Sequence, residues 1–132
     1  MMLHHICIQT DCYDESIKFY EEILGFEMVK ETKGFHGRHF NSWIKRDNFM
    51  IELQTNKVDE DLIDYNKRSK GIAHVAFMVD DIEYEYERIK TLGYNTFIRK
   101  KDQDIYEVEG GKLFKILAPE GTIIEVRDQK NI

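Results

Sequence analysis

Apolar and polar positions alternate along this chain in two rhythms, and the order of the rhythms occurs twice. Residues 3–10 are rich in Ile and alternate weakly, which predicts a strand. Ile17, Tyr20, Ile23 and Leu24 then fall at i, i+3, i+6 and i+7, one face of a helix. Asp11 or Asp14 would cap that helix by accepting from the free N–H groups of its first turn, and Gly25 suits its end because glycine tolerates φ > 0. Further strands are predicted over 26–30, 39–45 and 49–54. A polar, glycine-containing loop over 33–38 separates the first two, and a hairpin turn at Arg46-Asp47-Asn48 the last two. Residues 56–70 carry no sustained apolar run and form the one stretch resembling a linker.

The plan then repeats. A strand over 72–79 leads to Asp80 or Asp81 as a cap. Ile82, Tyr86, Ile89 and Leu92 form a helical stripe at i, i+4, i+7 and i+10, and Gly93 ends it. Strands follow at 95–99, 105–108, 113–117 and 122–127, with turns at Gly110-Gly111 and Pro119-Glu120-Gly121. The copies 3–26 and 71–94 share more than their rhythm. His5 and His74 open an apolar run, Asp11 and Asp80 follow six positions later, and both copies close on Leu-Gly-aromatic. Two copies make a duplicated domain rather than a solenoid. The expected architecture is α+β, a single domain of two βαβββ modules with helices on one side of each antiparallel sheet. The first module covers about 1–56, the linker about 57–70 and the second module about 71–128.

Side chains alternate across a strand, so each strand divides into two faces. One face is almost purely apolar: Ile6 and Ile8; Ile51 and Leu53; Val75, Phe77 and Val79; Ile124 and Val126. It should pack beneath the helices. The other carries His5, Cys7 and Gln9; Met50, Glu52 and Gln54; His74, Ala76 and Met78; Ile123, Glu125 and Arg127. Each repeat thus offers a His and then a Glu, with separations of 52 − 5 = 47 and 125 − 74 = 51. Two imidazoles and two carboxylates converging on one cleft are what a divalent metal requires, and an incompletely enclosed site leaves room for substrate oxygens. Singly, a His at a strand start is more often a hydrogen-bonded structural residue and a Glu among apolar neighbours a solvent-facing one. The matched placement of all four sets them apart.

Other candidates carry less. His36 and His39 form H-x-x-H in a loop and strand start where solvent exposure explains them, and alternation points His4 away from His5. Cys7 reads as a small buried thiol. Arg127 would meet an anionic substrate or pair with a surface carboxylate.

Composition narrows the class. A chain of 132 residues, 42% hydrophobic and 33% charged, suits one soluble globular domain. A net charge of −6, with basic residues only paired at Lys67-Arg68 and Lys100-Lys101, argues against nucleic acid. Two cysteines without C-x-x-C spacing are expected as reduced thiols. With no membrane-length apolar segment and no signal-peptide layout, a cytoplasmic location is expected.

These residues resemble the vicinal oxygen chelate superfamily of glyoxalases, bleomycin-resistance proteins and extradiol dioxygenases. The motifs are His5-Ile6-Cys7-Ile8 with SIKFYEEILGF, IEL at Glu52, AHVAF at His74 and APEGTIIEV containing Glu125. The resemblance implies a glyoxalase-like open barrel with helices outside. It also implies His5, Glu52, His74 and Glu125 as metal ligands in the order found in glyoxalase I, whereas three-ligand relatives typically lack a ligand at the Glu52 position and epimerases usually place Gln there. The metal would be nickel or zinc, with iron, manganese and cobalt also compatible. Asn56 matches an Asn that helps hold glutathione. Gln9 departs from the Arg that binds a glutathione carboxylate, and a neutral amide does not replace a bidentate guanidinium. The implied substrate is a hemithioacetal of glutathione, another thiol adduct or a different small oxygenated molecule. The implied reaction is a proton shift through an enediolate, with Glu125 as general base and Glu52 as a second carboxylate beside it. A homodimer is implied by analogy. The competing readings are a metal-free binding protein of the bleomycin-resistance type and an epimerase.

Overall fold

The computed structural model describes residues 1–66 and 68–130, so Lys67 of the expected linker, Asn131 and Ile132 lie outside the described residues. The chain divides into two compact units, Met1–Asp64 and Tyr65–Ile132, each with the order βαβββ.

In the first unit, β1 (Ile6–Thr10) leads into α1 (Tyr13–Lys18), which continues as a π-helical turn over Phe19–Ile23. β2 (Glu27–Phe35), β3 (Arg38–Arg46) and β4 (Phe49–Thr55) follow. The sheet order is β1-β4-β3-β2, with β1 parallel to β4. The sheet is therefore mixed rather than antiparallel throughout. A parallel pair needs a long crossover, and everything from α1 through β3 supplies it.

Of the expected apolar face Ile8, Ile51 and Leu53 are buried, together with Ile44, Phe19 and Tyr20, while Ile6 is half-buried. The helical stripe is displaced. Tyr13, Ser16, Phe19, Tyr20, Ile23 and Leu24 are buried while Ile17 is only half-buried. The wider π turn brings Phe19 and Tyr20 inward together, which a 3.6-residue period does not anticipate. Neither Asp11 nor Asp14 caps α1. Its N-cap is Cys12, without a side-chain bond, and Thr10 Oγ1 accepts the Cys12 N–H at 3.0 Å instead. β2 runs on to Phe35, shrinking the predicted 33–38 loop to a turn at His36-Gly37, where φ is 47° and 78°.

In the second unit, β5 (Val75–Met78) precedes α2 (Ile82–Thr91), then β6 (Tyr106–Val108), β7 (Gly111–Leu117) and β8 (Ile123–Arg127). The order β5-β8-β7-β6, with β5 parallel to β8, reproduces the first sheet. Asp81 caps α2, its carboxylate accepting from the Tyr84 N–H at 2.9 Å. Ile82 and Ile89 are buried, but Leu92 is exposed because the helix has already ended at Thr91. Residues 95–99 do not form the predicted strand. They make a single bridge, Phe97 to Ile116, because β6 takes the other half of the same edge of β7. Gly111 begins β7 rather than sharing the turn. A Cβ there would lie 2.9 Å from the Lys130 carbonyl oxygen. Among the described residues no helix is long and apolar enough to cross a membrane.

Candidate metal centre

In the first unit the parallel register of β1 and β4 sets Cys7 opposite Glu52. His5, just before β1, brings Nε2 to 3.5 Å from Glu52 Oε2. Its other ring nitrogen, Nδ1, lies 2.8 Å from Nδ1 of His4, so one ring donates to the other. The alternation that set His4 apart does not reach it, because β1 starts only at Ile6. Trp43, the register partner of Glu52, stands edge-on to the His5 ring with centroids 4.8 Å apart. His5 is thus oriented from two sides, by a hydrogen bond and by an aromatic ring.

Cys7 is exposed as a residue rather than buried. Its sulfur accepts from Gln54 Nε2 at 2.9 Å. Partial burial of the sulfur, and after it the Glu52 carboxylate, push the thiol up to about 11, so near neutral pH it is not a thiolate donor. Gln9 accepts from Arg38 Nη1 at 3.0 Å, and Arg38 also donates to the Thr55 carbonyl. A guanidinium therefore reaches position 9 from the start of β3. The Asn56 amide donates to the carbonyls of Lys57 at 3.2 Å and Glu60 at 2.8 Å, closing the chain after β4.

In the second unit His74 Nε2 lies 3.4 Å from Glu125 Oε2. Glu125 is 5% exposed and carries two further partners: Lys115 Nζ at 3.2 Å from Oε2 and Arg127 Nη1 at 3.3 Å from Oε1. Lys115 is the register partner of Glu125 across β7 and β8. Arg127 thus pairs with a carboxylate, but a buried one on its own strand rather than one at the surface. His36 and His39 are exposed, as expected.

Adjacent ligands on an ion with bonds of about 2.0–2.2 Å stand roughly 3–3.5 Å apart. Each His–Glu pair has that spacing and the nitrogen-plus-oxygen chemistry of a borderline divalent ion. Among the described residues no group of three or more His, Cys, Asp or Glu gathers around one point; the donors come in pairs, one pair per unit. Three neighbours of these pairs have no site role in the sequence pattern, Trp43, Arg38 and Lys115, and a fourth, His4, is the one that alternation sets aside. Alternation along 113–117 could have placed Lys115, because Phe114 and Ile116 take the apolar face and leave it on the other.

No curated protein matches the chain. Among solved structures, a glyoxalase family protein from Enterococcus faecalis is 21% identical, with 96% of each chain covered and a TM-score of 0.78. Lactoylglutathione lyase from Agrobacterium tumefaciens is 20% identical, covering 98% of this chain and 94% of its own, with a TM-score of 0.70. The fosfomycin resistance protein FosX from Listeria monocytogenes, complexed with Mn(II) and sulfate, is 15% identical, covering 98% and 93%, with a TM-score of 0.70. At these identities the likeness is one of fold. A sequence model of the Glyoxalase/Bleomycin resistance protein/Dioxygenase superfamily matches residues 2–126, and the chain belongs to that superfamily.

Proposed function

We propose that this chain is a glyoxalase I-like, metal-dependent lyase or isomerase acting on a hemithioacetal or a related substrate with vicinal oxygens. The observation that carries the reading is the duplicated pair: each repeat sets a His Nε2 within 3.5 Å of a carboxylate oxygen on the strand parallel to its own start. The residues proposed as metal ligands are His5 and Glu52 in the first unit and His74 and Glu125 in the second. Nickel or zinc suits them, with iron, cobalt and manganese compatible; the related FosX structure carries Mn(II). When bound, the ion supplies Lewis acidity to the substrate's oxygens.

The chain's own residues do the rest. Glu125 takes the proton from one carbon and returns it to its neighbour, with Glu52 as the second carboxylate. His4 and Trp43 hold the His5 ring. Asn56 contacts the thiol-derived part of the substrate. Gln9, bonded to Arg38, takes the position of the family's glutathione-binding Arg, and the substrate is a glutathione adduct, another thiol adduct or a small oxygenated molecule. The protein works as a cytoplasmic homodimer.

Metal analysis of the purified protein beside Glu52→Gln tests this. Stoichiometric divalent metal in the wild type, lowered in the variant, is expected. A wild type that binds none overturns the enzyme reading. Metal without turnover of a methylglyoxal–glutathione mixture keeps the centre and moves the substrate away from glutathione. One observation favours a second reading: Lys115 and Arg127 already neutralise Glu125, as a metal-free binding protein would need. The same measurement separates the two.

A further inference from the structure

We infer that Lys115 and Arg127 form an anion-binding site, and that the ligand bound beside Glu125 carries a carboxylate, phosphonate or phosphate group. The inference deepens the proposed function, since it rests on Glu125 belonging to the ligand site.

Two cations stand on one buried carboxylate. Lys115 Nζ and Arg127 Nη1 lie 3.2 and 3.3 Å from the same carboxylate, and among the described residues neither forms an ion pair with a second one. Neutralising Glu125 needs one cation; the second leaves an excess that the Asp128 carboxylate, beyond ion-pair distance of Arg127, offsets in part. The side chains of Lys115 and Arg127 are only 24% and 20% exposed, so water screens that excess less than it would at an open surface. Both residues also stand on the inner strands of the sheet, β7 and β8. Arg127 is further fixed by its Nε–H donating to the Asp128 carbonyl at 3.4 Å, and its Nη2 passes 3.4 Å from where a Cβ at Gly111 would stand.

The duplication supplies the control. At the matching places around Glu52 the first unit has Trp43 as register partner and Gln54 two residues on. The fold therefore holds a carboxylate at this point without Lys or Arg, and the cations of the second unit answer to something other than architecture. An ammonium beside a forked guanidinium is the arrangement that oxyacid groups bind. Next to it, Ala76 and Met78, register partners of Glu125 and Arg127, are exposed, which gives the ligand a small apolar floor.

Calorimetric titration of the protein with inorganic phosphate, methylphosphonate and acetate, run with and without Mn(II), tests the site and separates the three sources. At least one anion should bind the wild type. Binding should weaken about tenfold or more in Lys115→Met and in Arg127→Met, and persist in Lys115→Arg. Thermal melts confirm that each variant is folded, and Mn(II) affinity is read alongside by electron paramagnetic resonance, because both cations contact the proposed ligand Glu125 and their loss acts on metal binding as well. Failure of all three anions to bind, loaded or not, overturns the inference, as does binding by both Met variants that equals the wild type. If Mn(II) does not bind yet phosphate does so in a Lys115-dependent way, the metal reading falls and the anion site stands.

Discussion

Lys115 and Glu125 stand directly opposite one another on β7 and β8, ammonium 3.2 Å from carboxylate, where the first repeat sets Trp43 opposite Glu52. The two halves keep one backbone plan and differ in what surrounds the acid. Glu52 meets an imidazole and a thiol, with Trp43 as its register partner; Glu125 meets an imidazole and two permanent cations.

Neutralising the two acids should therefore have unequal effects on stability. Glu125→Gln leaves Lys115 and Arg127 close together without a counter-charge. Because both cations keep some solvent, the cost should fall below the fully buried case, at about 2 kcal/mol. Glu52→Gln leaves only a titratable His5 and should cost about 1 kcal/mol or less. Urea unfolding at neutral pH measures both, and equal midpoints would remove the distinction.

His4 should act on metal binding through His5 rather than on the fold. Its ring nitrogen is 2.8 Å from His5 Nδ1, which leaves Nε2 directed at Glu52. Loss of such an outer partner typically weakens a metal site about 10- to 100-fold. His4→Ala should show a metal affinity at the lower end of that loss, because Trp43 still braces the ring. As His4 is exposed, the unfolding midpoint should hardly move. A competitive metal titration reads the first effect, and an unchanged affinity would show that His4 does not orient the ligand.

Much of this was legible because strand alternation is rigid. The face carrying Ile51 and Leu53 is sealed, and the opposite face carries Glu52, as a period of two demands. The repeat then made His74 and Glu125 readable from His5 and Glu52. What failed lay where local rules lose their grip. Alternation was carried to His4, which precedes the strand. A 3.6-residue period was carried through Phe19–Ile23, where the helix is wider. Residues 95–99 have strand-like residues, yet whether they pair depends on which segment occupies the edge of β7, a long-range matter no window of sequence contains. Lys115 went unread because its importance comes from register with Glu125, fixed only once β7 and β8 are aligned.

The two repeats' aspartates offer a check on that limit. Asp11 and Asp80 occupy matching positions, but neither caps a helix; Asp80 instead accepts from Gln129 Nε2 at 2.7 Å. The cap belongs to Asp81. Asp81→Ala should cost about 1 kcal/mol, the usual value of a lost N-cap bond, while Asp11→Ala should be close to neutral. Chemical unfolding of the two variants decides it, and an Asp11 effect as large as that of Asp81 would contradict the local geometry.

Tyr86 and Asp104 should give the protein a pH-dependent contribution with two limbs. The Tyr86 hydroxyl on α2 donates to Asp104 Oδ2 at 2.6 Å, and Arg99 Nε donates to Oδ1 at 3.0 Å. That hydrogen bond, more than burial, pushes the phenol up to about 12. The same bond, with Arg99 behind it, holds the Asp104 carboxyl below its ordinary value. For the acid, the stabilisation is present above the unfolded carboxylate value of about 4 and is lost as pH falls through the folded one. For the phenol, it is present below the unfolded value of about 10 and is lost as pH rises towards about 12. Tyr86→Phe keeps the ring against Phe97 and Phe114 but removes the donor. Its deficit should be about 1 kcal/mol in the neutral range, discounted for partial exposure, and should shrink at both extremes. Unfolding midpoints of wild type and variant at about pH 3, 7 and 11 measure this. A deficit that stays constant across the three would mean that the hydroxyl contributes packing alone and that Asp104 draws its ionisation from Arg99.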